Sequence, residues 1–185
     1  MPASGPDTPH GPPPVPLTLD REGHWWHEGR PIEHPGLVRL LNRHLVILDD
    51  GSVEVRVAGR EVVERALVTV EDLPYYVIAV TKLQPLTVRL NDESVEAVDP
   101  ADLWLVGDDR LFVRVKGGRH PARFLRTPWL TLAAHFEEAA GGGWALCLSD
   151  AVTPVRVEPS PPVWPGARPS PGDAGPGAEG PRTPA

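Results

Sequence analysis

The sequence predicts an α+β fold with an antiparallel, β-rich core, and three observations carry that prediction. Between Leu45 and Lys116, apolar residues recur mainly with a period of two. Helical spacing occurs in only two stretches, one on each side of that region. Proline is concentrated at the ends: of 24, seven fall in residues 1–16 and ten in 151–185, leaving seven for the 134 residues between.

Residues 17–33 read as a short strand-and-turn element, punctuated by Gly23 and Gly29 and carrying Trp25 and Trp26 as its apolar mass. Pro35 suits the first turn of a helix, and Leu37, Leu40 and Leu41 fall on one helical face. Val46–Leu48, the Asp49-Asp50-Gly51 turn, and Val53, Val55 and Val57 alternating with Glu54 and Arg56 predict a hairpin, because glycine tolerates positive φ in such turns. Strands follow at 66–71, 75–82 and 86–90. A second hairpin joins 103–106 to 111–116 through Gly107-Asp108-Asp109-Arg110. In its second strand Leu111, Val113 and Val115 share one face and Arg114 and Lys116 the other. Thr127 as N-cap, Pro128 at the first position and Gly141 as stop bound a closing helix, with Trp129, Leu132, Ala133, Phe136 and Ala140 along one stripe. Trp144–Ser149 is a final strand or an apolar strip over the core. A curved antiparallel sheet closed by a C-terminal amphipathic helix resembles the pleckstrin-homology plan.

Residues 1–16 and 151–185 lack apolar periodicity, and burial there does not offset an ordering cost of roughly 1–2 kcal/mol per residue. Both are expected to be disordered proline-rich tails, with PxxP spacings at Pro159–Pro162 and Pro162–Pro165 suited to a polyproline-reading groove. The single cysteine, Cys147, excludes an intrachain disulfide and a multi-thiolate metal site. No stretch approaches the roughly 18–20 apolar residues of a membrane helix, and the N-terminus has no basic start followed by an apolar signal core. A cytoplasmic location without membrane insertion is therefore expected. A net charge of −7 argues against nucleic acid as a partner.

Three stretches together resemble the bacterial domain-of-unknown-function family 1285. They are Gly23-His24-Trp25-Trp26-His27-Glu28-Gly29-Arg30-Pro31-Ile32; Val63-Glu64-Arg65 followed by Asp72-Leu73-Pro74-Tyr75; and Val113-Arg114 through Gly118 with Ala122-Arg123-Phe124-Leu125-Arg126. The sequence departs from the family pattern at Glu61-Val62 and at Pro121. The resemblance implies a duplicated core of two similar α+β halves, placed here at 17–82 and 83–150, the second similar to pleckstrin-homology folds. It also implies a cleft between the halves that takes a nucleotide-like ligand in signalling.

Arg110, Arg114, Lys116, Arg119, Arg123 and Arg126 make the one basic segment of an acidic chain. Arginine's planar fork suits phosphate or carboxylate, Gly117-Gly118 leaves backbone N–H groups accessible, and Arg126 abuts the N-terminus of the closing helix. Arg114, Arg123 and Arg126 are thus the candidates for holding an anion; the alternative is pairing with Asp72, Asp108 or Asp109. Trp25, His27 and Tyr75 are candidates for lining a flat ligand, against the alternative that they fill the core. His24, His27, His34 and Glu28 have spacings compatible with zinc but no helix to fix them, so no metal and no cofactor is expected. With no G-x-S-x-G, P-loop, G-x-G-x-x-G or H-E-x-x-H motif, no catalytic residue is assigned and the chain is not expected to be an enzyme. The leading expectation is a ligand-sensing or regulatory binding module for an anionic, nucleotide-like molecule. The alternatives are a protein-interaction module using a sheet edge or the tails and, more remotely, a small enzyme.

Overall fold

The computed structural model describes residues 15–59, 63–107, 109–139 and 141–162. Its strands come in groups of three. The first group is β1 (Val15–Leu19), β2 (Trp25–His27) and β3 (Arg30–Pro31). Helix α1 (Pro35–Arg43) leads to the second, β4 (Leu45–Ile47), β5 (Val53–Ala58) and β6 (Val63–Val70). Together they form a six-stranded sheet in the order β3-β2-β1-β6-β5-β4, antiparallel except where β1 runs parallel to β6.

The same plan then recurs. The third group, β7 (Tyr75–Leu83), β8 (Leu86–Leu90) and β9 (Val95–Ala97), is followed by a 3-10 turn (Pro100–Asp102) and by β10 (Leu103–Val106), β11 (Arg110–Val115) and β12 (His120–Phe124). Helix α2 (Arg126–Ala133) then leads to β13 (Phe136–Glu138), β14 (Trp144–Leu148) and β15 (Ala151–Glu158). The nine strands lie in the order β13-β14-β15-β10-β11-β12-β7-β8-β9, with β7 parallel to β12 and β10 parallel to β15. In each case the first strand of one group pairs in parallel with the last strand of the next, across a short helix or turn. The group β10–β12 serves both neighbours.

The α+β class and the antiparallel bias agree with the sequence reading, but five expectations are corrected. The boundary between the halves falls between Val70 and Tyr75 rather than at 82, because β7 pairs with β8 and β12 in the second sheet. Residues 151–158 are not tail. Despite Pro154 they form β15, paired with β14 along residues 151–155 and with β10 along residues 156–158, with Val155 buried. At the other end Val15 and Pro16 pair with Ala66 and Leu67 in β1, while residues 1–14 and 163–185, including Pro165, lie outside the described residues.

The closing helix is shorter than its spacing suggests and is not the last element. Its N-cap is Leu125 rather than Thr127, and its C-cap is Ala134. Phe136 meets Trp129 edge-to-face at 5.3 Å, as the helical stripe requires, but does so from β13, whose pairing with β14 replaces a further helical turn. Ala140 lies outside the described residues.

Helix α1 begins where expected, with His34 Nδ1 accepting from the Leu37 N–H at 3.3 Å, yet it turns a different face inward. Leu37 and Leu40 are 43% and 37% exposed, whereas Leu41 and Asn42 are buried and Val38 packs inward. The buried hydrogen bond from the Trp25 indole N–H to Asn42 Oδ1, 2.9 Å, sets this rotation, since an indole without a partner in the core costs about 1–3 kcal/mol.

Two apolar clusters result. One lies between the sheets and joins Leu17, Trp25, Val53 and Val55 to Tyr76, Trp104 and Phe112. The other covers the opposite face of the nine-stranded sheet, where Tyr75, Val77, Val113, Leu132 and Leu146 meet. Alternation along β7 and β11 sends neighbouring residues to different clusters, Tyr75 and Tyr76 among them.

Candidate ligand cleft

Register aligns one row of side chains across the nine-stranded sheet: Tyr76 on β7, Arg123 on β12, Phe112 on β11, Trp104 on β10 and Arg156 on β15. Trp104 stacks on Phe112, with centroids 5.6 Å apart and planes 14° from parallel. The guanidinium groups of Arg114 and Arg156 each lie 6.0 Å from the Trp104 ring centroid, at the outer limit of a cation–π contact. Beside this row opens a cleft of 540 Å³ between the sheets. Its walls are the β4–β5 turn (Leu48, Asp49, Asp50) on one side and Trp104, Arg114 and Arg119 on the other.

The turn has the predicted construction. Gly51 takes φ +84°, and Asp50 Oδ1 accepts from the Ser52 N–H at 2.9 Å and its hydroxyl at 2.6 Å. Those bonds hold the Asp50 carboxyl below its ordinary pKa. Asp50 thus shapes the turn, and Asp49 is the acidic side chain left at the rim.

The basic segment divides into committed and available cations. Lys116 donates to Asp92 and Ser94 at 2.6 Å each, and its N–H donates to Glu96 at 2.8 Å. Burial pushes the Asp92 carboxyl up, but the Lys116 and Ser94 hydrogen bonds bring it below its ordinary range. Arg123 forms an ion pair with Asp72 at 3.4 Å and lies over the Tyr76 ring, 5.5 Å from its centroid; its Nε is buried without a hydrogen bond of good geometry among the described residues. Burial raises the Asp72 carboxyl above its ordinary pKa, against the pull of Arg123, Arg21 and Arg110. The pairing alternative therefore holds for Arg123. Arg114 and Arg119 make no ion pair among the described residues, and Arg119 Nε donates to the Lys116 carbonyl at 2.9 Å.

Of the six residues proposed from sequence, only Arg114 lines the cleft. Arg123 is held by Asp72, and Arg126 is exposed at the first turn of α2, away from the cleft walls. Trp25 is 1% exposed and belongs to the core. His27 is half-buried on β2, outside the cleft. Tyr75 faces the other side of the sheet, under Lys116 Nζ at 5.1 Å, and burial pushes its phenol up to about 12. The histidine group is also dispersed: His34 caps α1 and His24 lies 3.4 Å from Asp20. No cluster of three or more metal-ligating side chains occurs among the described residues.

Sequence reasoning missed Trp104 and the facing turn. Trp104 was legible: the predicted hairpin through Gly107 places it beside Phe112 and on the same face as Arg114. The approach of the β4–β5 turn depends on how the two sheets stack, for which the chain carries no local signal.

Fold and cleft together define an α+β protein of stacked three-stranded groups with a cleft of mixed polarity between two sheets. No protein-family model and no curated protein matches the sequence. Among solved structures, a DUF1285 family protein from Silicibacter pomeroyi DSS-3 aligns over 84% of this chain and 90% of its own, with TM-score 0.55 and 22% identity. A DUF1285 family protein from Shewanella baltica OS155 aligns over 67% and 94%, with TM-score 0.49 and 20% identity. The chain has the DUF1285 fold, as the three resembling stretches imply. No helix among the described residues is long and apolar enough to cross a membrane.

Proposed function

We propose that the protein is a non-catalytic sensor that takes a small anionic molecule of the nucleotide class in the cleft between its sheets. The carrying observation is that Arg114 and Arg119 line a 540 Å³ cleft without a carboxylate partner among the described residues, whereas Lys116 and Arg123 are neutralised. Two forked guanidinium groups suit a phosphate. Asp49 across the cleft supplies an acceptor for a sugar hydroxyl, and the volume lies within the usual range for small-molecule sites.

The test is thermal unfolding of the full chain against a panel of nucleotides and phosphorylated metabolites. A ligand specific for the folded state adds about 2.7 kcal/mol at 100 times its dissociation constant. We expect one nucleotide class to raise the melting temperature and Arg114→Ala to abolish the rise. A flat panel overturns the proposal.

A second reading, a protein-interaction module, is favoured by the closing strands, where Val152, Val157 and Trp144 are 66%, 56% and 45% exposed. Under that reading Val152→Asp and Val157→Asp leave nucleotide responses unchanged and abolish capture of a partner.

A further inference from the structure

A second cavity, of 370 Å³, lies between α1 and the β7–β8 hairpin, again across the two sheets. Val38 of α1, Ile78 of β7 and Leu125 give it apolar walls beside the Tyr76 ring. Two of its inner polar side chains, Asn91 and Tyr76, are already engaged. Asn91 Nδ2 donates to Asn42 Oδ1 at 3.3 Å and to the Pro74 carbonyl at 3.1 Å, and Asn91 Oδ1 accepts the Tyr76 N–H at 3.0 Å. The Tyr76 hydroxyl donates to the Asp20 carbonyl at 2.8 Å. Asn91 and Tyr76 therefore offer a polar guest few new partners in return for its lost water, whereas an apolar guest loses little.

The opening has the opposite character. Arg39 from α1 and Arg89 from β8 both line it and are both exposed, and neither makes an ion pair among the described residues. The cavity's one acidic side chain, Glu93, is engaged by Arg43. The result is an apolar recess with two uncompensated guanidinium groups, one from helix α1 and one from β8 of the nine-stranded sheet.

We infer that this cavity binds a small monocarboxylic acid with an apolar body, the body lying against Val38, Ile78 and Tyr76 and the carboxylate held between Arg39 and Arg89. The occupant links helix α1 to the nine-stranded sheet. It adds a third bridge between α1 and the β8–β9 region, beside the Asn42–Asn91 hydrogen bond and the Arg43–Glu93 ion pair. The site is separate from the cleft at Arg114 and does not rest on the nucleotide proposal.

Octanoate is the probe, 1-octanol its uncharged control, and methyl resonances of the full chain the readout. We expect octanoate to shift the Val38, Ile78 and Leu125 methyls saturably, and octanol to bind more weakly. Arg39→Ala with Arg89→Ala should weaken octanoate by about ten- to a hundredfold, as loss of charge-assisted hydrogen bonds predicts. Both arginines are exposed, so their replacement leaves the core intact. Arg114→Ala should leave octanoate binding unchanged. The inference is overturned if those methyls do not move, if octanol matches octanoate, or if the double variant binds as tightly as the natural chain.

Discussion

The unit β1–β6 and the unit β7–β12 share one plan, yet they are covered differently. The outer face of the six-stranded sheet is open: Leu67 is 48% exposed, and β5 alternates buried valines with partly exposed Glu54 and Arg56. At the centre of the nine-stranded sheet both faces are covered, so β10 is buried along its whole length and Leu111, Phe112 and Val113 of β11 are all buried in succession. The same strand topology therefore demands two sequence patterns, alternation where one face is wet and a continuous apolar run where neither is. A guanidinium buried in that doubly covered region pairs, as Arg123 does with Asp72, whereas among the described residues the exposed Arg114 does not.

The sharpest break of this comparison is a pair of truncations read by urea unfolding. Phe112→Ala, stacked between the sheets, should cost about 3–5 kcal/mol, while Leu67→Ala on the open face stays within about 0.5 kcal/mol. Equal costs would mean that the two sheets are equally loaded. Next in size is Asn42→Ala, which leaves the buried Trp25 indole N–H without its acceptor and should cost about 1–3 kcal/mol. Trp25→Phe should cost less in that background than in the natural chain, since the hydrogen bond is already gone and only the cavity remains to be counted. The smallest effect is a pH dependence that separates two carboxylates of different burial. Asp92 is held below 3.8 in the folded state, so its stabilisation is present above that pH and lost as pH falls through the lowered value. Asp72 is raised, so its contribution has the other sign and declines as pH rises from 3.8 through its folded value. Unfolding midpoints in acid should fall less steeply for Asp92→Asn than for the natural chain, and more steeply for Asp72→Asn.

Legibility followed the range of the interactions involved. The 49–51 turn, both hairpins and the start of α1 were readable because each depends on neighbours within a few residues. The rotation of α1 was not, because Asn42 is selected by Trp25, seventeen residues away. The end of α2 was not, because a helical stripe and a helical turn followed by a strand place Trp129 and Phe136 in the same contact. At the cleft, arginine chemistry singled out Arg114, but only the fold separates it from Arg123, whose partner Asp72 is remote in sequence. The proline-rich composition of the last residues concealed β15.

That final strand has a consequence for how the molecule comes to exist. Each unit closes through a long-range parallel contact: Val15 with Ala66, Tyr75 with Ala122, and Trp104 with Arg156. During synthesis the first two closures can form while the chain is still growing, but β10 waits for β15, at the end of the described residues. Until then the fully apolar β10 presents a bare edge, the kind of surface on which a second chain readily assembles. A protein cut after Asp150, where composition alone would place the end of the fold, would keep that edge permanently, and aggregation rather than simple instability would be its fate.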